Sequence, residues 1–315
     1  MTPRLDPALP LVWRTPDTLQ LGAASARVVI ERPGPLEIGL LQALRHGVEV
    51  PTLVTIASGL DGTPRQVHEF LDRLAPACVS RRDGADAAES AADVASTAGA
   101  PASAAPAATA PAAIEVDGAG ELADAVATGL RTLGHDARTP DRAPATEPTH
   151  AALVVIVADW AVAPVRYLPL MRHDVPHLVV LGDDAGIRVG PLVEPGTGAC
   201  VRCLDLARRD EDSAWPVIAA QLAGRPAPDD GPRLRFEAAI AAARAADDYL
   251  RRGESRLIGA SVSFDRSRLA SHRRDHGMHP LCGCRAPGGI AIPNALPDAA
   301  RRPSPSSARA VDVPA

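Results

Sequence analysis

The chain has no lysine; all 33 of its basic residues are arginine. That absence removes a Schiff-base amine, a P-loop phosphate-binding residue and an adenylate-stabilising ammonium at once, so any ATP chemistry would run on arginine alone. Aromatic residues are scarce at 3%. The cores must therefore be built from Val, Leu, Ile and Ala. No run of about 18 or more apolar residues exists to cross a membrane. The opening residues, Met1-Thr-Pro-Arg-Leu-Asp-Pro7, lack the apolar stretch of a secretory signal. A cytoplasmic chain with no membrane partner is expected. Basic excess is missing too: a formal net charge of −5 and a pI near 6.0 argue against a general nucleic-acid binder.

At 315 residues there is room for two domains. Residues 1–80 read as one small α+β module. Leu11 to Arg14, Thr18 to Gly22 and Arg27 to Glu31 are short strand candidates, with turns near Asp17 and Gly22. After Pro33-Gly-Pro35 the period changes, and Leu36, Leu40, Leu41 and Leu44 fall on one helical face. A second helix covers Pro51 to Ser58. A third starts at Thr63-Pro-Arg-Gln66, with Thr as N-cap, Pro at the first helical position and Gln three residues past the cap. Three strands followed by three helices suggest a winged helix-turn-helix. Residues 81–112, dominated by Ala, Ser, Pro, Gly and Asp, read as a disordered linker. Residues 291–315 read as a disordered tail.

From Ala113 strands and helices alternate. Ile114 to Asp117 is a short strand and Glu121 to Leu133 a helix. Ala152 to Ala158 and His177 to Gly182 are apolar throughout, as central parallel strands are. Val165 to Arg172 is a short helix and Ile187 to Val193 a further strand. Arg233 to Arg252 is a long helix. Leu257 to Phe264 and Arg268 to Arg273 read as an antiparallel pair. Residues 113–290 are thus expected to form a Rossmann-like α/β domain.

Four of the five cysteines form two tight pairs, Cys200-Val-Arg-Cys203 and Cys282-Gly-Cys284. A C-x-x-C turn grips one side of a tetrahedral zinc ion, and the second pair can supply the other side. Such a site has no open coordination position, so its role is structural. A reducing compartment favours metal over disulfide. A redox C-x-x-C usually opens a helix, whereas Pro195-Gly-Thr-Gly-Ala-Cys200 reads as a loop; the redox and disulfide alternatives stay open. His276 and His279 lie nearby as substitute ligands. Cys78 reads as a small buried hydrophobe.

Gly118-Ala-Gly120-Glu-Leu-Ala123 fits G-x-G-x-x-A after a strand and before a helix, where a phosphate can sit on a helix N-terminus. The strand is short, and Glu121 places a negative charge in the first helical turn. A tight turn in a Rossmann relic competes with a working nucleotide loop. Asp136 and Asp141 stand at ribose-contact distance in sequence, though no clear strand lies between them.

Val189 to Leu206, with Asp212-Ser-Ala-Trp-Pro216 and His279-Pro-Leu-Cys-Gly-Cys284, resembles the ThiF/MoeB-like relatives of ubiquitin-activating enzymes. The branch most similar accompanies YcaO cyclodehydratases in the biosynthesis of azole-modified peptides. The N-terminal module resembles the PqqD-like recognition element that binds a precursor's leader peptide. The resemblance covers Leu5 to Leu74 and Ile114 to about Arg285. It implies structural zinc on Cys200, Cys203, Cys282 and Cys284, a YcaO-type partner, a leader-peptide ligand and, as the default assembly, a homodimer. Active members adenylate a carboxylate with a glycine loop, a ribose-binding acid, arginine, lysine and aspartate. Here lysine is absent and the loop at Gly118 and Gly120 is degenerate. No isolated reactive cysteine stands in the α/β region, and no catalytic residue is assigned.

The expected function is a non-catalytic scaffold that presents a leader peptide, with a lysine-free adenylyltransferase as the alternative. The peptide would add a strand beside Val28, Val29 and Ile30. The third helix would form the other wall, with Arg65, His68, Glu69 and Asp72 reading leader charges or merely forming a solvated face. DNA binding by this module finds no support in a helix that carries Glu69 and Asp72 beside Arg65 and Arg73.

Overall fold

The computed structural model describes residues 2–79, 112–139, 150–266 and 270–284. The segment expected as a linker, except for its last residue, lies outside the described residues, as do the 291–315 tail and Asp141.

In the N-terminal part, β2 (Leu11–Thr15), β3 (Thr18–Leu21) and β4 (Val28–Glu31) form an antiparallel sheet in the order β2-β3-β4. Helices α1 (Pro35–His46), α2 (Val50–Ser58) and α3 (Pro64–Leu74) follow. The start of α3 is as its residues dictate: Thr63 Oγ1 accepts the Gln66 N–H at 3.3 Å and Gln66 Oε1 accepts the Thr63 N–H at 2.8 Å. Leu19, Leu21, Val28 and Ile30 of the sheet pack on Leu40, Leu41, Leu44, Leu53, Val67, Phe70 and Leu74 of the helices, forming a core of their own. A pairing that periodicity did not reveal closes the unit: β1 (Arg4–Leu5) runs antiparallel to β5 (Cys78–Val79). Each is only two residues long, too short to leave a pattern.

The second part holds a seven-stranded mixed sheet in the order β12-β11-β10-β9-β8-β6-β7. Its parallel half consists of β6 (Ala113–Asp117), β7 (Asp136–Arg138), β8 (Leu153–Asp159) and β9 (His177–Gly182). The order β7-β6-β8-β9 is Rossmann-like, and the layout is α/β. The antiparallel half is β10 (Gly186–Val193), β11 (Ala260–Asp265) and β12 (Ser271–Asp275). The connection from β9 to β10 spans only residues 183–185, too short for the crossover that a parallel neighbour needs. Asp136 proves to begin a strand, where no clear strand was expected. Three residues paired in parallel with β6 carry too little pattern to be read.

Helices α4 (Glu121–Thr132) and α8 (Gly231–Arg252) cover one face, and their alanines pack closely against Ile114, Val116, Leu153 and Val155. On the other face, α5 (Pro164–Arg172) and α6 (Val201–Glu211) pack on Val154, Ile156, Val179 and Leu181. Pro195 to Cys200 is a loop, as expected, but the C-x-x-C itself opens a helix: Cys200 is the N-cap of α6 and Cys203 lies in its first turn. The glycines at 196 and 198 precede the helix but do not extend past the cap. Helix α7 (Trp215–Leu222) was not expected either. It forms because its apolar face has somewhere to go. Trp215, Ile218 and Leu222 bury against Trp160 and against Val12 and Ala23 of the N-terminal part. No helix among the described residues is long and apolar enough to cross a membrane.

Candidate functional site

The two cysteine pairs meet. The Sγ atoms of Cys200, Cys203, Cys282 and Cys284 lie within 4.8 Å of one another, and all four residues are buried. Cys200 Sγ is 3.8 Å from Cys203 Sγ and 3.4 Å from Cys282 Sγ, and Cys203 Sγ is 3.6 Å from Cys284 Sγ. A tetrahedral ion with bonds of about 2.3 Å separates its sulfurs by about 3.8 Å, so four thiolates here can hold one metal ion. Helix α6 supplies one pair from its first turn. The turn after β12 supplies the other, with Gly283 at φ +70° between the two ligands. Hydrogen bonding with Cys203 and burial push the Cys200 thiol up, and burial pushes Cys282 up to about 12. The Cys200 thiol lowers Cys203 to about 4. A metal ion bound here would displace protons from the thiols. His276 and His279 are not part of the cluster. Nε2 of His276 lies 2.8 Å from Ser261 Oγ, and Nε2 of His279 lies 2.8 Å from Asp210 Oδ2.

The glycine loop lies where a Rossmann-like sheet places it, between β6 and α4. A Cβ on Gly118 would stand 2.7 Å from Val157 Cβ and 2.9 Å from its carbonyl oxygen. This glycine therefore serves close strand–loop packing. Gly120, at φ +87°, has nothing within 4 Å of its would-be Cβ. Around them the polar groups are already matched. Arg166, in the first turn of α5, donates to Asp117 Oδ2 at 2.8 Å, to Asp117 O at 2.5 Å and to Val157 O at 2.9 Å. It thereby bridges the carboxyl ends of β6 and β8, where a nucleotide would enter. Glu121 pairs with Arg235 of α8 at 2.5 Å. Asp136 sits level with Ala113 at the start of β6, four residues back from Asp117, or about 13 Å. It pairs with Arg138 at 2.7 Å.

The N-terminal sheet has two edges, and they are treated differently. On β2, the Gln221 side chain of α7 accepts the Trp13 N–H at 2.9 Å and donates to the Trp13 carbonyl at 2.6 Å. A side-chain amide thus takes the place of a neighbouring strand. No strand among the described residues pairs with the outer edge of β4. Arg32 N–H donates to Asp17 O at 2.6 Å. By the alternation of an antiparallel ladder, the main-chain groups of Ile30 and Val28 then face β3, and those of Val29 and Glu31 face outward. The side chains of Val28 and Ile30 are buried in the core, while Val29 is 41% exposed. On α3, Arg65 and Glu69 are exposed and paired with each other at 2.7 Å. His68 Nδ1 lies 2.7 Å from the Pro64 carbonyl of the preceding turn, and Asp72 stands exposed further along the helix.

A cavity of about 900 Å3 escaped sequence reasoning. It lies beyond the carboxyl end of β8 and beneath α6 and α7, lined by Trp160, Tyr167, Trp215, Arg202 and Arg225 among others. Gly118 and Gly120 do not line it. Its residues come from separate elements, so no spacing announces it. Burial pushes the Tyr167 hydroxyl up and raises Asp205 to about 6.

No protein-family model and no curated protein matches the chain. Among solved structures it is similar to a heterocyclase in complex with substrate and cofactor, at 18% identity and a TM-score of 0.44, covering 90% of this chain and 39% of that one. It is also similar to the heterocyclase TruD, at 17% identity and a TM-score of 0.41, covering 89% and 42%. A third is the E. coli microcin synthetase McbBCD complex, at 12% identity and a TM-score of 0.43, covering 90% and 99%. The chain spans about two fifths of the length of the first two.

Proposed function

We propose that this chain is a non-catalytic scaffold. It binds the leader of a ribosomal precursor peptide on its N-terminal winged helix-turn-helix and presents the peptide to a YcaO-type cyclodehydratase. The observation that carries this reading is the contrast between the two sheet edges. Gln221 closes the edge of β2, while β4 offers the outward main-chain groups of Val29 and Glu31 to an incoming strand. An extended peptide gains main-chain hydrogen bonds there, and Arg65, His68, Glu69 and Asp72 of α3 supply charge at the second wall. Zinc in the four-thiolate cluster ties the turn after β12 to α6 and acts structurally.

The surroundings of Gly118 and Gly120 favour a scaffold over an adenylyltransferase. Arg166 is spent on Asp117 and two carbonyls, Glu121 opposes phosphate, Asp136 is out of reach, and no lysine exists. Native mass spectrometry of the full chain, with ATP and with candidate leader peptides, tests the reading. A bound peptide, one zinc per chain and no nucleotide are expected. Bound ATP or an adenylated product would overturn it in favour of the enzyme. The same spectrum reads the assembly, for which a homodimer is expected.

A further inference from the structure

A second, smaller cavity of about 260 Å3 lies between the N-terminal part and the antiparallel half of the sheet. Three guanidinium groups from three elements line it: Arg188 of β10, Arg208 of α6 and Arg274 of β12. The register explains the convergence. Arg188 stands opposite Leu181 and Ser263, and Arg274 opposite Ser261, so these side chains share the sheet face that α6 covers. Arg208 lies over the Trp215 ring, 3.4 Å from its centroid, and donates to the Ala23 carbonyl at 3.3 Å.

The donors outnumber what the protein itself supplies. The acids in and beside this cavity already have partners. Asp183 Oδ1 accepts the N–H groups of Ala185 at 2.8 Å and Gly186 at 3.3 Å. Both oxygens of Asp184, beside the cavity, accept N–H groups at 2.7 Å, from Ala23 and Ala24. Glu211 is bound by Arg274, and Asp205, raised by burial, feels the charges of Arg208 and Arg188. Arg188 has no side-chain hydrogen bond or ion pair among the described residues, and its Nε is buried with no partner. A buried guanidinium donor left unmatched is costly, and such groups are normally satisfied by protein, water or ligand. Burial, then the charge of Arg188, depresses Arg208. The charges of Asp183, Asp184 and Asp205 act on Arg208 in the opposite sense to that of Arg188. Burial, then Arg188 and Arg274, brings His276 down to about 4, so its imidazole is neutral and Nε2 stays with Ser261.

We infer that this cavity is a binding site for a phosphate group, held between the Arg188, Arg208 and Arg274 guanidiniums at the junction of the two parts of the chain. Planar guanidinium forks match the oxygens of phosphate, and three of them suit a dianion. The site is separate from the glycine loop and from the outer edge of β4. It does not depend on the scaffold reading.

Thermal melting of the full chain tests it, with inorganic phosphate titrated against sodium chloride at matched ionic strength. The melting temperature should climb with the logarithm of phosphate concentration and stay flat with chloride. Arg188→Met removes the guanidinium whose Nε has no partner. It should melt higher than the parent in phosphate-free buffer and lose the phosphate response. A merely structural arginine predicts the opposite, a lower melting point with the response unchanged, and that result would sink the proposal. Should Arg188→Met fail to fold, Arg274→Gln decides: phosphate affinity must fall several-fold, and an unchanged affinity overturns the site. Arg225→Gln, in the larger cavity, should respond as the parent does. Stronger stabilisation by O-phosphoserine than by inorganic phosphate assigns the pocket to a phosphate ester, and the reverse order assigns it to the free ion.

Discussion

Arg14 of β2 grips Asp212, just past the end of α6, with both terminal nitrogens, at 2.8 and 2.7 Å. The pair joins the N-terminal sheet to the α/β part, beside the Trp160 and Trp215 cluster that Val12 and Ala23 enter. Both side chains are partly exposed, which limits the value of the pair, but its bidentate geometry raises it. Asp212→Ala should cost about 1–2 kcal/mol, since it also frees the Ala214 N–H that Asp212 accepts at 3.0 Å. Urea denaturation of Arg14→Ala, Asp212→Ala and the double variant would measure the coupling. Full additivity would show that the pair does not hold the two parts together.

The metal cluster predicts a chain that depends on its ion. One metal per chain is expected by elemental analysis. Chelation should lower the melting temperature by more than about 10 °C. Cys282→Ser should lose the metal and show the same drop. Cys78→Ser, which touches no part of the cluster, should retain it.

The outer edge of β4 gives a main-chain test. Val29→Pro removes one outward N–H, and proline is tolerated on an edge strand. Peptide affinity should fall about tenfold, the worth of one hydrogen bond of roughly 1.4 kcal/mol. Stability should barely change, because the group removed faces away from β3. Fluorescence anisotropy with a labelled leader peptide reads the first effect and thermal melting the second. Equal affinity in parent and variant would rule out strand addition at this edge.

The two glycines of the loop differ in packing. Gly118→Ala drives a methyl into Val157 and should cost about 1–3 kcal/mol. Gly120→Ala meets open space, but φ +87° with ψ 179° is a backbone region that only glycine adopts readily, so strain alone should cost about 1–3 kcal/mol. If Gly118→Ala costs less than about 1 kcal/mol, close packing is not what requires glycine at 118.

His177 makes a signed pH prediction. It is fully buried, its Nδ1 lies 3.0 Å from the Val175 carbonyl, and Nε2 has no partner. Burial lowers its pKa from 6.5 to about 4. Between those values the unfolded chain takes up the proton and the folded chain does not. Its contribution to stability is therefore intact above pH 6.5 and falls as pH drops toward 4, by about 3 kcal/mol in all. Urea titrations at pH 7 and pH 5 should show a steeper loss for the parent than for His177→Gln. Equal slopes would mean that this imidazole is not held neutral.

Much of the fold was legible because local rules govern it. The Thr63 cap, the apolar period of α1 and the buried runs of β8 and β9 carry their structure in adjacent residues. The cysteine pairs were legible as well, since metal binding demands thiolates at short spacing whatever the fold. Two-residue strands and the three-residue β7 were not, because the sheet around them selects them rather than their own pattern.

By itself the sequence determined the longer helices and strands, the absence of any lysine-based chemistry and the two tight cysteine pairs. Only the tertiary structure decided which edge of the N-terminal sheet is covered, because Gln221 reaches Trp13 from more than two hundred positions away in the chain. It also decided that Arg166 bridges Asp117 and Val157, and that Arg188, Arg208 and Arg274 converge. Such contacts depend on strand order and register, which bring together side chains that no spacing along the chain relates.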